Sequence, residues 1–79
     1  MELKDTVSLM TSSDYKERFK AEYYQLRTRA LKLKSFLDNW DKLDFTPTCP
    51  KELLEEQLDA MAKYKEILMQ RARLENIKL

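Results

Sequence analysis

The sequence predicts an all-α fold: an antiparallel two-helix hairpin, coiled-coil-like, that self-associates into a helical bundle and carries a short N-terminal arm. Three observations predict it. The 79 residues contain no glycine, and the only two prolines fall together at positions 47 and 50. The chain is rich in Leu, Lys, Glu, Ala and Arg, which favour long helices. Apolar residues recur at helical spacing on both sides of the prolines, so the breakers divide two helices.

The first helix is expected over about 14–40. Phe19, Tyr23, Leu26, Ala30, Leu33, Leu37 and Trp40 step by four and three in alternation, which keeps them on one face. Asp14 followed by Glu17 has the geometry of a capping box, so the helix starts near Ser13 or Asp14. A turn is expected over about 41–49, because Pro47 and Pro50 each remove a backbone donor and push the preceding residue out of the α region.

The second helix is expected over about 50–75. Thr48 or Cys49 suits the cap, Pro50 the first turn, and Glu52, Glu55 and Glu56 the positive end of the dipole. This helix carries two neighbouring stripes. Leu54, Leu58, Met61, Leu68 and Ala72 form one; Leu53, Ala60, Tyr64, Ile67 and Leu74 form the other. A hairpin uses one seam per helix, so the extra stripe implies a further partner. The plainer reading is a small monomeric core with generous apolar cover. Leu53, Leu54, Leu58, Met61, Ile67, Leu68 and Leu74 are the residues expected at an oligomer interface.

Residues 1–12 read as an arm, and 13–79 as the hairpin. Leu3, Val7 and Met10 are helically spaced, but the serines and threonines among them make a weak helix. The arm either packs on a neighbouring chain or stays disordered. The charges suit an antiparallel arrangement. Arg27, Arg29, Lys32 and Lys34 fall late in the first helix, and Glu52, Glu55, Glu56 and Asp59 early in the second. Folding at the prolines sets these blocks side by side. The basic cluster is either this structural feature or a phosphate-binding one.

Composition narrows the function classes. A chain this short barely supports one core and usually needs a metal, disulfides or self-association. One cysteine makes no internal disulfide, and the absence of histidine argues against a zinc site, so self-association remains. A net charge of +1 gives no global pull toward nucleic acid or anionic membrane. The lone thiol, with no signal peptide or long apolar run, points to a soluble, reducing, cytosolic setting. No histidine base, glycine-rich phosphate loop or Ser-His or Cys-His arrangement is present, so enzyme is the last class to invoke. Cys49 at a helix N-terminus has no partner thiol or base and reads as a cap-region residue. No cofactor and no metal are expected.

Gln57, Tyr64 and Arg71 lie seven apart and interrupt the apolar face of the second helix, with Tyr23 and Tyr24 on the facing helix. Polar residues in such a seam either fix register and oligomer state or line a polar pocket between subunits. In the pocket reading, Tyr64, Tyr23 and Tyr24 stack on a base while Arg71, Arg27 and Arg29 pair with phosphates. Arg71 is the first choice, because it shares a face with Tyr64 and Gln57.

"YKERFKAEYYQLRTRALKLKSFL" followed by "ELLEEQLDAMAKYKEILMQR" resembles a family of small phage proteins named for their relation to a protein of crAss-like phages. The residues that carry it are Leu26, Lys32-Leu33 and Phe36-Leu37 in the first helix. In the second they are Leu53-Leu54, Gln57, Ala60-Met61, Tyr64, Ile67-Leu68 and Arg71. The resemblance covers about residues 14–71 and implies a phage origin and a helical hairpin. The Cys49-Pro50 start of the second helix is also similar to the hairpin shared by anti-CBASS and anti-Thoeris phage proteins, although Lys51-Glu52 stands where that hairpin has Ser-Arg-Glu. Those proteins oligomerise and sequester cyclic nucleotide signals of bacterial immunity. The resemblance implies a homo-oligomer in the host bacterial cytoplasm that holds a cyclic nucleotide or ADP-ribose-type signal between subunits. The alternative is a non-enzymatic helical inhibitor or adaptor that binds a host defence protein. Nucleic-acid binding is a third and lesser reading, and none of the three involves a membrane.

Overall fold

The structure, a computed structural model, describes all residues 1–79 and is all-helical, with no strand. A 3₁₀ turn (Leu3–Thr6) leads into a single α-helical turn, α1 (Val7–Met10). Two long helices follow, α2 (Tyr15–Asp38) and α3 (Lys51–Leu74). Helix α2 is the central element: α3 packs along it and the N-terminal turns pack on it as well. Tyr15 and Glu22 near the start of α2 bond to Arg71 and Tyr64 near the end of α3, so the two long helices run antiparallel.

Local chemistry sets the helix ends. The Asp14 carboxylate accepts from the Lys16 N–H at 2.9 Å and caps α2. The Asp14 N–H donates to Ser12 Oγ at 3.0 Å, so an upstream serine satisfies the donor that Glu17 would meet in a capping box. Helix α2 ends at Asn39, whose side-chain amide donates to the Ser35 carbonyl at 2.8 Å. A 3₁₀ turn (Trp40–Lys42) follows. Phe36 holds Trp40 and Phe45 at ring separations of 5.6 and 6.4 Å, which seats the loop on the helix end. The start of α3 departs from expectation. Pro50 itself is the N-cap, extended at φ −62° and ψ 144°, and neither Thr48 nor Cys49 supplies a side-chain cap.

The end of α3 shows how a glycine-free chain terminates a helix. Asn76 takes φ 57°, in the left-handed region. The Ile77 N–H then donates to the Ala72 carbonyl at 2.8 Å and the Asn76 N–H to the Arg73 carbonyl at 3.4 Å. This is a Schellman turn, and its apolar contact is present because Ile77 and Ala72 share the core. Asn76→Val should therefore lose about 1–2 kcal/mol and Asn76→Gly none, as urea unfolding would show. Equal stability for the two variants would refute this account of the helix end.

The core is thin. The molecule measures 43 × 24 × 16 Å and buries only eight of its residues. Phe19 and Leu26 of α2 meet Leu68 and Ala72 of α3 and Ile77 beyond it, flanked by Tyr23 and Met61. All seven residues of the α2 stripe are buried or half-buried, so its heptad rhythm marks the packed face. On α3 the stripe with Leu54 and Leu68 turns inward; Leu53, Ala60, Tyr64, Ile67 and Leu74 all stay exposed. The residues expected at an oligomer interface therefore divide. Leu68 is fully buried within its own chain, Met61 packs on that core, and Leu54 and Leu58 are half-buried.

One further expectation is corrected. The arm is neither disordered nor dependent on a neighbouring chain. Thr6 is fully buried, its hydroxyl donating to the Leu3 carbonyl at 2.7 Å and accepting from Gln25 of α2 at 2.9 Å. The Thr28 hydroxyl donates to the Met1 carbonyl at 2.7 Å. Leu3, Thr6 and Leu9 turn inward at a spacing of three, while Val7 and Met10 are exposed. The step from Leu3 to Thr6 suits the 3₁₀ turn, and Leu9 follows in α1. The charge blocks do come side by side, Lys34 lining one hollow with Glu55 and Asp59 and Arg27 another with Asp59. The ion pairs are Glu2–Lys4, Lys34–Asp38 and Arg71–Glu75, all local, and none joins α2 to α3. Exposed pairs are worth about 0–1 kcal/mol, too little to fix long side chains across the seam.

Candidate functional site

The long helices cross so that residues one turn apart on α2 look down the same flank of the molecule. Tyr23 and Tyr24 stand in an edge-to-face arrangement, ring centroids 5.4 Å apart and planes at 72°. With Arg27 one turn on, they border a concavity of about 390 Å³. Its opposite wall is Met69, Ala72 and Arg73 of α3, closed at the end by Ile77 and Leu79. The Schellman turn makes this closure, folding the chain back so that Ile77 anchors in the core and Leu79 reaches the rim.

Tyr24 and Arg27 also border a second concavity of about 270 Å³, formed with Thr28, Leu31, Lys32 and the first two residues. The docked N-terminal turn is what builds it. Arg27 further edges a third hollow of about 310 Å³ between the helices, shared with Lys34, Lys65 and the acidic Asp59. Arg27 thus lines three depressions.

The predicted site residues divide into two groups. Tyr23, Tyr24 and Arg27 come together. Tyr64, Arg71 and Gln57 lie elsewhere on α3 and border no part of that concavity. The Tyr64 hydroxyl donates to the Glu22 carboxylate. Arg71 donates to the Tyr15 hydroxyl at 2.9 Å, reaches Glu75 at 3.5 Å and lies over the Phe19 ring, 4.9 Å from its centroid. Partial desolvation opposes its charge, but the field and hydrogen bond of Tyr15, helped by Glu75, outweigh it and raise its pKa. Arg71 is a cation already engaged by its own chain. Gln57 is exposed, with only a 3.9 Å contact to Met61 Sδ. Arg29 is exposed and edges none of the depressions.

Sequence reasoning missed Arg73, the second guanidinium of the concavity. Its one signal is position: Arg73 follows Met69 by four residues, on the flank of α3 next to the buried Ala72. Ile77 and Leu79 were missed because the return of the chain depends on Asn76, which carries no apolar periodicity. Two tyrosine rings set edge to face beside apolar side chains, with two arginines on the rim, suit a flat ring bearing phosphate: one ring stacks on it, the other meets its edge, and each guanidinium pairs with two oxygens. No cluster of three acidic or thiol groups is placed to hold a metal ion, and Cys49 is half-buried in the loop before α3. No helix is long and apolar enough to cross a membrane.

Comparison with curated proteins and with solved structures gives no match. No relative from crAss-like phages is shown by the comparisons. A protein-family model described as Sequestin matches residues 13–74, which contain both long helices and the loop between them, and the chain belongs to the Sequestin family.

Proposed function

We propose that the chain is a phage counter-defence protein that sequesters a cyclic nucleotide or ADP-ribose-type immune signal without converting it. It acts in the host bacterial cytoplasm as a homo-oligomer, with the signal held between subunits. The observation that carries the nucleotide part of this reading is the convergence of Tyr23, Tyr24, Arg27 and Arg73 on one concavity of a single chain. The family name supports sequestration as the mode of action. At about 390 Å³ the concavity is near the small end of ligand sites, which span roughly 300–1,000 Å³. It holds one nucleotide unit, and the rest of a two-unit signal extends toward the adjoining depressions or a second copy.

A melting-temperature screen against cyclic dinucleotides and cyclic ADP-ribose isomers tests the proposal. A bound ligand at a hundred times its Kd stabilises by about 2.7 kcal/mol, on the order of 10–20 °C for a domain of this size. No shift with any of them would overturn it. Arg71→Ala serves as the internal control. It should lower the melting temperature of the free protein and leave nucleotide affinity within about twofold, because Arg71 lies outside the concavity. A large loss of affinity would return Arg71 to the site.

A second reading draws on the exposed Leu53, Ile67 and Leu74 of α3. In that reading the chain is a non-enzymatic helical inhibitor or adaptor of a host defence protein. Co-purification of one host protein, with no nucleotide effect, would select it.

A further inference from the structure

Two seams run along α3, and the hairpin uses one. Met61 and Leu68 belong to the intrachain core, whereas Leu53, Ala60 and Ile67 repeat every seven residues on an exposed face, with Gln57 and Tyr64 interleaved at a spacing of four and three. That is the a/d pattern of a helix pairing with another helix. Glu56 and Lys63, both exposed, flank it on the same side and are themselves seven apart. A hollow of about 390 Å³ opens on this face between Leu53, Glu56, Gln57 and Ala60.

We infer that a second copy of this chain docks antiparallel along α3, with the exposed part of the Tyr64 ring of each protomer set against the hollow at Leu53, Gln57 and Ala60 of the other while its hydroxyl keeps the bond to Glu22 of its own chain. Two independent features select the same register. In an antiparallel pair with twofold symmetry, a contact from one residue to another is repeated in reverse. Setting Glu56 against the partner's Lys63 therefore sets Lys63 against the partner's Glu56, and both flanking pairs attract. In that register Tyr64 falls opposite the partner's Leu53, and Gln57 opposite the partner's Ala60, which sets an aromatic ring against the hollow. A slip of one heptad would set Lys63 against the partner's Lys63 at the twofold axis. A slip of two would set Lys63 against the partner's Gln70, with no pair gained. Ile67 packs near the partner's Pro50, and Leu74, although 85% exposed, lies beyond the overlap.

This inference rests on the self-association part of the proposed function and names its surface. A charge swap tests it, since residues 56 and 63 are seven apart on one helix and do not meet within a chain. Sedimentation equilibrium at low salt would compare the parent chain with Glu56→Lys, Lys63→Glu and the double swap, with helicity checked by circular dichroism. Each single variant loses two symmetry-related pairs and gains two repulsions, so its dimer Kd should rise about tenfold. The double swap restores attraction and should return Kd to within about twofold of the parent. A parent chain that stays monomeric at high concentration would overturn both the inference and the self-association reading. Self-association that persists unchanged in the single variants, or a double swap as weak as either, would overturn this register alone. Nucleotide binding is read separately, so its failure leaves this result standing.

Discussion

Leu68→Ala is expected to remove most of the stability of this chain. Leu68 has no exposed surface and sits where α2, α3 and the C-terminal return meet. Truncating a buried leucine costs about 2–5 kcal/mol, combining lost transfer energy with the cavity left behind. A small domain is stable by only about 0.05–0.15 kcal/mol per residue, so the loss is a large part of the whole. With eight buried residues in a flat molecule, few neighbours can close the cavity. The melting midpoint by far-UV circular dichroism should fall by on the order of 10–35 °C. Leu74→Ala, at a position 85% exposed, should change stability by less than about 0.5 kcal/mol. If the two substitutions had the same effect, the inward face of α3 would be misassigned.

The second large effect is on binding. Arg27→Ala and Arg73→Ala should each weaken nucleotide affinity about ten- to a hundredfold, since each removes a charge-assisted bond worth roughly 1.5–3 kcal/mol. Arg27 carries the larger expectation, because it edges the main concavity and both depressions beside it. Its loss unpairs a ligand phosphate whichever way the rest of the ligand extends. The double variant should bind beyond detection by calorimetry at micromolar protein. Both arginines are exposed and neither belongs to the buried core, so helix content and melting temperature should hold. Parent-like affinity in the double variant would place the ligand elsewhere.

The hairpin was legible in the sequence because its determinants are local. The two prolines mark the break, and the rhythm from Phe19 to Trp40 marks the packed face of α2 through the 3.6-residue turn. The inward stripe of α3 could not be told from its neighbour by hydrophobicity. Leu68 and Ile67 are adjacent and nearly identical in size, yet one is fully buried and the other 47% exposed. Only the rotation of α3 against α2 decides between them. The arm was misread because Thr6 is buried where the turn packs on α2 and is bonded by Gln25, nineteen residues away, a contact no propensity encodes.

The candidate site was half legible for the same reason. Tyr23, Tyr24 and Arg27 lie within one and a half turns of α2 and travel together. Arg73 reaches them only through the helix crossing, and Leu79 only through the left-handed Asn76. Arg71 drew attention as a cation in an apolar stripe. The structure gives that position a packing role, with Tyr15, Phe19 and Glu75 around the guanidinium.

The central claim is retention of a nucleotide signal without chemistry, and one titration tests it most directly. Purified protein is titrated calorimetrically with cyclic dinucleotides and cyclic ADP-ribose isomers. The complex is then denatured and the nucleotide recovered and weighed by mass spectrometry. The account predicts saturable binding of at least one signal and recovery of that signal with its mass unchanged. Absence of binding to every nucleotide tried, or recovery of a cleaved product, would contradict it.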